Sequence, residues 1–186
     1  MELSVIAYLV LLGAVATLRL VELRISRRHQ REMVARGAAK VDDPRFRWMV
    51  LLHTSVLIGA AVEVVFLHRP LYPVLAAIFF AIFLAANLVR WWVIRTLGDH
   101  WNVQVVNSTS LGVVTSGPFR YVRHPNYAAV FVEMLVLPLI HSAWITALAG
   151  SLAHILVLSQ RLATEERVLF ADAQYRAVMS DKPRFV

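Results

Sequence analysis

Apolar and polar positions alternate along this chain in long blocks rather than with a short period. Residues 3–20 form a first apolar run, about the ~20 residues a helix needs to cross a bilayer. The amino end before it carries no basic cluster, so the run is expected to be retained as a helix rather than cleaved as a signal peptide. Residues 19–47 then turn polar and basic. Their start is expected to continue the helix, with Arg19 and Glu22 exposed at the interface and Asp42 or Asp43 capping the next helix. Two further apolar spans follow at 48–67 and 71–94, separated only by a short turn around His68-Arg69-Pro70.

Residues 95–126 lose helical periodicity. They are polar and β-branched, with Gly, Pro and Ser punctuation, and predict a structured loop or short-stranded insert. Two shorter apolar runs, 127–140 and 143–158, predict either a hairpin that enters the membrane and returns or two spans extended at their ends. An amphipathic, charged tail follows Ser159. The expected fold is therefore an all-α integral membrane protein. It has about five transmembrane helices, a loop that carries the chemistry and a C-terminal helical hairpin. Residues 1–96 form a three-helix membrane region, and 97–186 form the functional region of a single membrane domain.

Composition agrees: 59% of the 186 residues are hydrophobic and only 17% charged, against about a quarter charged in soluble domains. No cysteine is present, which excludes disulfides, thiolate metal sites and a thiol nucleophile from this chain. The net charge of +7 would raise nucleic acid as a partner in a soluble protein. Here the basic residues flank apolar runs, so membrane lipids are the expected partner and nucleic acid is not. Of the 19 Lys and Arg, 18 fall in segments 19–47, 90–126 and the tail, and only Arg69 falls elsewhere. The positive-inside rule then places those three segments in the cytoplasm and the amino terminus outside.

The seven glycines form no G-x-G, and H-E-x-x-H and G-x-S-x-G are absent, so dinucleotide, zinc-protease and serine-hydrolase motifs are excluded. No two histidines lie four apart. His53, His68, His141 and His154 are expected to be interfacial or packed rather than ligands, and no metal is expected. Attention falls instead on "GPFRYVRHPNYAAVFVEM", residues 117–134, where two turns bracket Arg120, Tyr121 and Arg123 ahead of a helix starting at Pro125. Such a helix start presents free N–H groups and a positive dipole end, which favours an anion. In the tail, His154, Leu158, Arg161 and Glu165 share one helical face, and Arg161–Glu165 is a natural ion pair. Glu166 points about 100° away. Glu133, inside an apolar helix, requires a partner such as Arg161, or protonation, and for Glu63 Arg69 or His68 could serve as partner.

The string "VVTSGPFRYVRHPNYAA", with the later "RLATEERVL" and a Tyr before "KPRF", resembles the isoprenylcysteine carboxyl methyltransferase family over residues 97–185. One departure is Ala128-Ala129, where the family often has Gly after the Tyr. The resemblance implies methyl transfer from S-adenosyl-L-methionine at the cytoplasmic membrane face, without a Rossmann sheet. By position, Tyr121, Val122, Arg123, His124, Pro125, Asn126 and Tyr127 are implied to line the cofactor pocket with Gln104, Val105 and Glu165. Arg161 and Glu165 match the family's catalytic pair. The amino-terminal "RLVELRISRRHQ" resembles a bacterial subgroup that methylates alkylresorcinol or alkylpyrone lipids, which implies a bacterial inner membrane. The implied acceptor is a lipid-tailed phenol or pyrone, or a prenylcysteine-type carboxylate. A phospholipid N-methyltransferase and an NADPH-dependent sterol-reductase-like enzyme are the alternatives.

Overall fold

The computed structural model describes residues 2–41, 46–104, 106–107 and 111–185. The expected cap at Asp42 or Asp43 and the expected cofactor contact at Val105 lie outside the described residues. The protein is an all-helical membrane protein with helices α1 (Leu3–Ala35), α2 (Phe46–Phe66), α3 (Pro73–Leu97), α4 (Pro125–Leu139), α5 (Trp144–Leu169) and α6 (Ala173–Met179). Single 3-10 turns stand at Gly98–His100 and Gly117–Arg120. One two-residue antiparallel ladder pairs β1 (Ala39–Lys40) with β2 (Val106–Asn107), the short-stranded element expected in the loop.

Among the described residues, α1, α2, α5 and α3 with its following turn are long and apolar enough to cross a bilayer. Their outward faces expose Leu, Val, Ile and Phe such as Val10, Ile58, Val74 and Leu88, which suits contact with lipid. The fifth apolar helix, α4, is shorter at 15 residues and is the most enclosed, with Ala129, Val130, Glu133, Met134 and residues 136–139 buried. It starts with Pro125 at its first turn, as the sequence suggested, because that position needs no N–H partner.

The run 143–158 follows the second of the two expected readings, a span extended at its end. It continues through the polar tail as one 26-residue helix, α5, because Arg161 and Glu166 turn onto its buried face. Pro138 and a left-handed Ser142 (φ 58°) turn the chain between α4 and α5. Packing of α2 on α5 uses small residues. A Cβ on Gly150 would meet a Val56 methyl at 2.6 Å, so only glycine admits this approach.

Two polar sites hold the helices together within the membrane region. Glu63 accepts from the Ile145 and Thr146 amides at 3.1 and 2.7 Å, capping the start of α5, and pairs with Arg69 at 2.8 Å as expected. The interfacial placement expected for Arg19 and Glu22 is not observed. Glu22 is only 8% exposed and pairs with Arg19 at 3.0 Å and Arg90 at 2.5 Å. Glu133 finds Arg19 at 3.5 Å and Arg90 at 3.9 Å, rather than Arg161. The reason is steric order: α1 and α3 flank α4 at that depth, while Arg161 lies near the far end of α5.

Candidate active site

At 33 residues, α1 is about 50 Å long, well beyond the ~30 Å hydrocarbon core. Its last turns therefore leave the bilayer and meet the loop that follows α3. Ser26 Oγ accepts from the Val103 amide at 2.9 Å, and Gln30 donates to the Gln104 side-chain oxygen at 2.8 Å. His29 Nδ1 sits 2.9 Å from the Trp101 carbonyl, and Trp101 is buried. Residues 101–104 are thereby fixed over the ends of the helices.

The 117–127 segment enters beneath them. Gly117 adopts φ 57° with Thr96 crowding the place of a Cβ, so the turn requires glycine. The chain's last residues then strap the segment down. The Arg123 and His124 amides donate to the carbonyls of Pro183 and Arg184, each at 3.0 Å, and Lys182 Nζ donates to the Phe119 carbonyl at 2.7 Å. Glu166 is the hub of this assembly: Arg184 lies at 2.6 Å, Arg123 at 3.1 Å and His124 Nε2 at 3.3 Å. Burial pushes the His124 imidazole below its ordinary value, although Glu165 and Glu166 oppose the shift. It is therefore neutral at physiological pH. Burial also pushes the nearby Tyr175 phenol up to about 12.

Arg161 and Glu165 meet through Tyr127. The Tyr127 hydroxyl accepts from Arg161 Nε at 3.0 Å and donates to Glu165 Oε2, while Arg161 Nη2 donates to the Val103 carbonyl. These groups border a cavity of about 510 Å³, within the usual range for small-molecule sites. Its polar end is lined by Gln104, Arg123, His124, Pro125, Asn126, Tyr127, Arg161 and Glu165. It continues along the apolar Ala16, Leu20 and Leu23 of α1 and Met49, Val50 and Leu57 of α2. Two of these lining residues carry a buried polar atom without a hydrogen-bond partner, Asn126 Oδ1 and Arg123 Nε.

Of the residues singled out in the sequence, Tyr121 and Val122 do not line the cavity, and Tyr121 is 63% exposed. Glu166, placed away from the site by its helical angle, is instead the buried anchor of its loop. Its signal was the second carboxylate of the Glu165-Glu166 pair together with Arg184 near the end of the chain. Arg19, Glu22, Arg90, His53 and His154 also line the cavity. They lie on four different helices, so no local motif joins them.

A family model for isoprenylcysteine carboxyl methyltransferases matches residues 76–171, just over half of the chain. The chain belongs to the isoprenylcysteine carboxyl methyltransferase family. The matched segment of this family member runs from α3 through the loop and α4 to the end of α5, and so contains Gln104, Arg123–Tyr127, Arg161, Glu165 and Glu166. The chain is 26% identical over 151 residues to an uncharacterized protein, YpbQ, of Bacillus subtilis (strain 168), covering 81% of this chain and 89% of that one. It is 27% identical over 158 residues to an uncharacterized protein of Haemophilus influenzae, covering 84% and 91%. A solved structure of the eukaryotic intramembrane Ras methyltransferase ICMT matches its fold with TM-score 0.53 at 21% identity, over 74% of this chain. The chain spans half of that structure's length.

Proposed function

We propose that the protein transfers a methyl group from S-adenosyl-L-methionine to a hydrophobic acceptor at the cytoplasmic face of the membrane, as an O-methyltransferase. The observation that carries this reading is the meeting of Arg161, Glu165 and Tyr127 in the wall of one cavity that is lined by both polar and apolar side chains. A charged nucleoside-derived donor suits the polar side chains around Arg123–Tyr127, and a lipid tail suits the apolar side chains of α1 and α2.

The residues present fit such a donor. Asn126 Oδ1 and Arg123 Nε are buried polar atoms without hydrogen-bond partners, suited to its ammonium or hydroxyl and its carboxylate respectively. The start of α4 adds a positive dipole end. Gln104, Pro125, Tyr127 and Glu165 complete the wall. When bound, the cofactor supplies an electrophilic methyl on a sulfonium. The chain's own residues then have to position the acceptor and exclude water, and no covalent nucleophile is needed. Arg161, oriented by Tyr127 and the Val103 carbonyl, steers the acceptor oxygen, and Glu165 holds Tyr127 in place. The acceptor's tail lies between α1 and α2.

The ends of α1, α3 and α5 that carry this site are also the basic ends of the chain, which supports a cytoplasmic site with the amino terminus outside. Because the chain has no cysteine, single cysteines report the orientation. Tyr72→Cys is expected to label from outside the cell and Thr115→Cys only after permeabilisation.

The decisive assay uses labelled methyl donor, membrane-inserted protein and lipid extract. Arg161→Ala and Glu165→Ala are each expected to lower turnover by about 10² or more, the cost of misplaced reacting groups, with insertion intact. Full turnover in both variants would overturn the assignment. Label in aminophospholipid would instead mark an N-methyltransferase. NADPH binding without S-adenosylhomocysteine binding would mark a reductase.

A further inference from the structure

The inward face of α1 does not end where the helix leaves the bilayer. One turn after the buried Glu22 come Ser26, His29, Gln30 and Met33, at the i, i+3, i+4 and i+7 spacing of a single helical face. Ser26 is 2% exposed and Met33 is fully buried, packed on Ala38 and Val106 beside the two-residue ladder. The three polar members each grip one residue of the segment 101–104. His29 Nδ1 donates to the Trp101 carbonyl at 2.9 Å, Ser26 Oγ accepts from the Val103 amide at 2.9 Å, and Gln30 donates to the Gln104 side chain at 2.8 Å. Inward polar groups on a helix are costly unless paired, and these three are paired with a segment that has no helix or strand of its own.

Arg161 hangs on that segment. The Val103 carbonyl accepts from Arg161 Nη2, and the same guanidinium donates from Nε to the Tyr127 hydroxyl at 3.0 Å. The carbonyl belongs to the planar peptide unit that joins Val103 to Gln104, whose N–H donates to Asn102 Oδ1 at 2.9 Å. Asn102 thus sets the rotation of that plane, and Ser26 fixes the other side of the Val103 Cα by taking its amide. Once the Ser26 hydroxyl is removed, the carbonyl can swing away from the arginine. A guanidinium is rigid and planar, so a swing at one donor moves the other with it. Gln30 acts at a different point, because the Gln104 that it holds lines the cavity beside Arg123–Tyr127. Ser26 and Gln30 both lie outside residues 76–171, the segment that matches the family.

We propose that Ser26 is a positioning residue for methyl transfer, acting through the Val103 peptide on Arg161, and that Gln30 positions Gln104 against the methyl donor. This rests on the methyl-transfer reading above. Each side chain acts through another residue, so its loss displaces a group that meets a reactant. Displacing Arg161 slows the transfer itself, whereas displacing Gln104 weakens the hold on the donor. The membrane turns of α1 wall the cavity, and its cytoplasmic turns set the geometry of the site.

The test uses the full chain in bilayer nanodiscs. It measures S-adenosylhomocysteine affinity by calorimetry and methyl transfer from labelled donor to total lipid extract. Ser26→Ala is expected to lower turnover at saturating donor about tenfold or more, with S-adenosylhomocysteine affinity within about threefold of the parent. Ser26→Thr keeps the hydroxyl and is expected to restore turnover to within about threefold. Gln30→Ala is expected to do the reverse of Ser26→Ala, weakening S-adenosylhomocysteine about tenfold with turnover at saturating donor within about threefold. In an Arg161→Ala background, Ser26→Ala is expected to change the residual turnover by less than about twofold, because the group that it positions is gone. Parent-like turnover in Ser26→Ala overturns the proposal, as does a full additive loss on top of Arg161→Ala. Turnover and affinity falling together in both Ser26→Ala and Gln30→Ala would mark a general loosening of α1 and overturns it too. Each of these results leaves methyl transfer standing. A parent that binds no S-adenosylhomocysteine and passes no label to lipid defeats the methyl-transfer reading, and both positioning roles with it.

Discussion

The Tyr127 hydroxyl shows how one side chain organises the site. It accepts from Arg161 and donates to Glu165, so it fixes both groups through a single oxygen. Tyr127→Phe is expected to lower methyl transfer at least tenfold while the helices persist by circular dichroism. Loss of a hydrogen-bonded hydroxyl costs only about 1–3 kcal/mol of stability. His124 sets the site's pH behaviour. Burial lowers its pKa, Glu165 and Glu166 raise it, and Arg123 lowers it. A histidine depressed in the folded state leaves stability intact above its unfolded value near 6.5. As pH falls below that, the unfolded chain binds the extra proton first and stability declines toward the lowered folded value. Thermal melts from pH 7.5 to 5 should show this decline, and His124→Gln should lessen it. The motif residues were legible because "FRYVRHPNY" is contiguous. Glu166 was misplaced because a helical angle gives direction without revealing what packs there.

At the scale of elements, the C-terminal strap is a structural part of the loop it covers. Backbone carbonyls of Pro183 and Arg184 satisfy the amides of Arg123 and His124, and the Arg184 side chain joins Arg123 on Glu166. A chain truncated after Ser180 leaves those amides and Glu166 without these partners. Its affinity for S-adenosylhomocysteine by calorimetry is expected to fall at least tenfold, with helix content nearly unchanged. The extension of α1 does related work from the other side, holding Val103 and Gln104 through Ser26 and Gln30. The basic stretch 19–47 read as charge flanking a membrane span, because hydropathy marks where a span ends and not what the exposed turns grip. Similarly, the apolar run 143–158 looked too short to span, since the polar residues that prolong α5 face inward.

Across the whole molecule, the Arg19, Glu22, Arg90 and Glu133 quartet ties α1, α3 and α4 together with equal numbers of cations and carboxylates. Removing one member leaves an uncompensated buried charge, which costs about 3–5 kcal/mol. Arg90→Met is therefore expected to destabilise the protein by about that amount in reversible unfolding from bilayers. Adding Glu22→Gln should recover part of the loss, because it restores the balance. Three of the four, Arg19, Glu22 and Arg90, also line the cavity.

The sequence by itself determined the membrane helices, the loop that carries the motif and the face on which His154, Arg161 and Glu165 lie. Block hydropathy and helical spacing are local properties, and local order along the chain records them. Tertiary structure alone decided that Glu133 meets Arg19 and Arg90, that Glu166 anchors the loop, and that His53 stands beside His154. Those contacts join residues far apart in sequence. Only the packing of separate helices brings their charges and lone pairs within reach of each other.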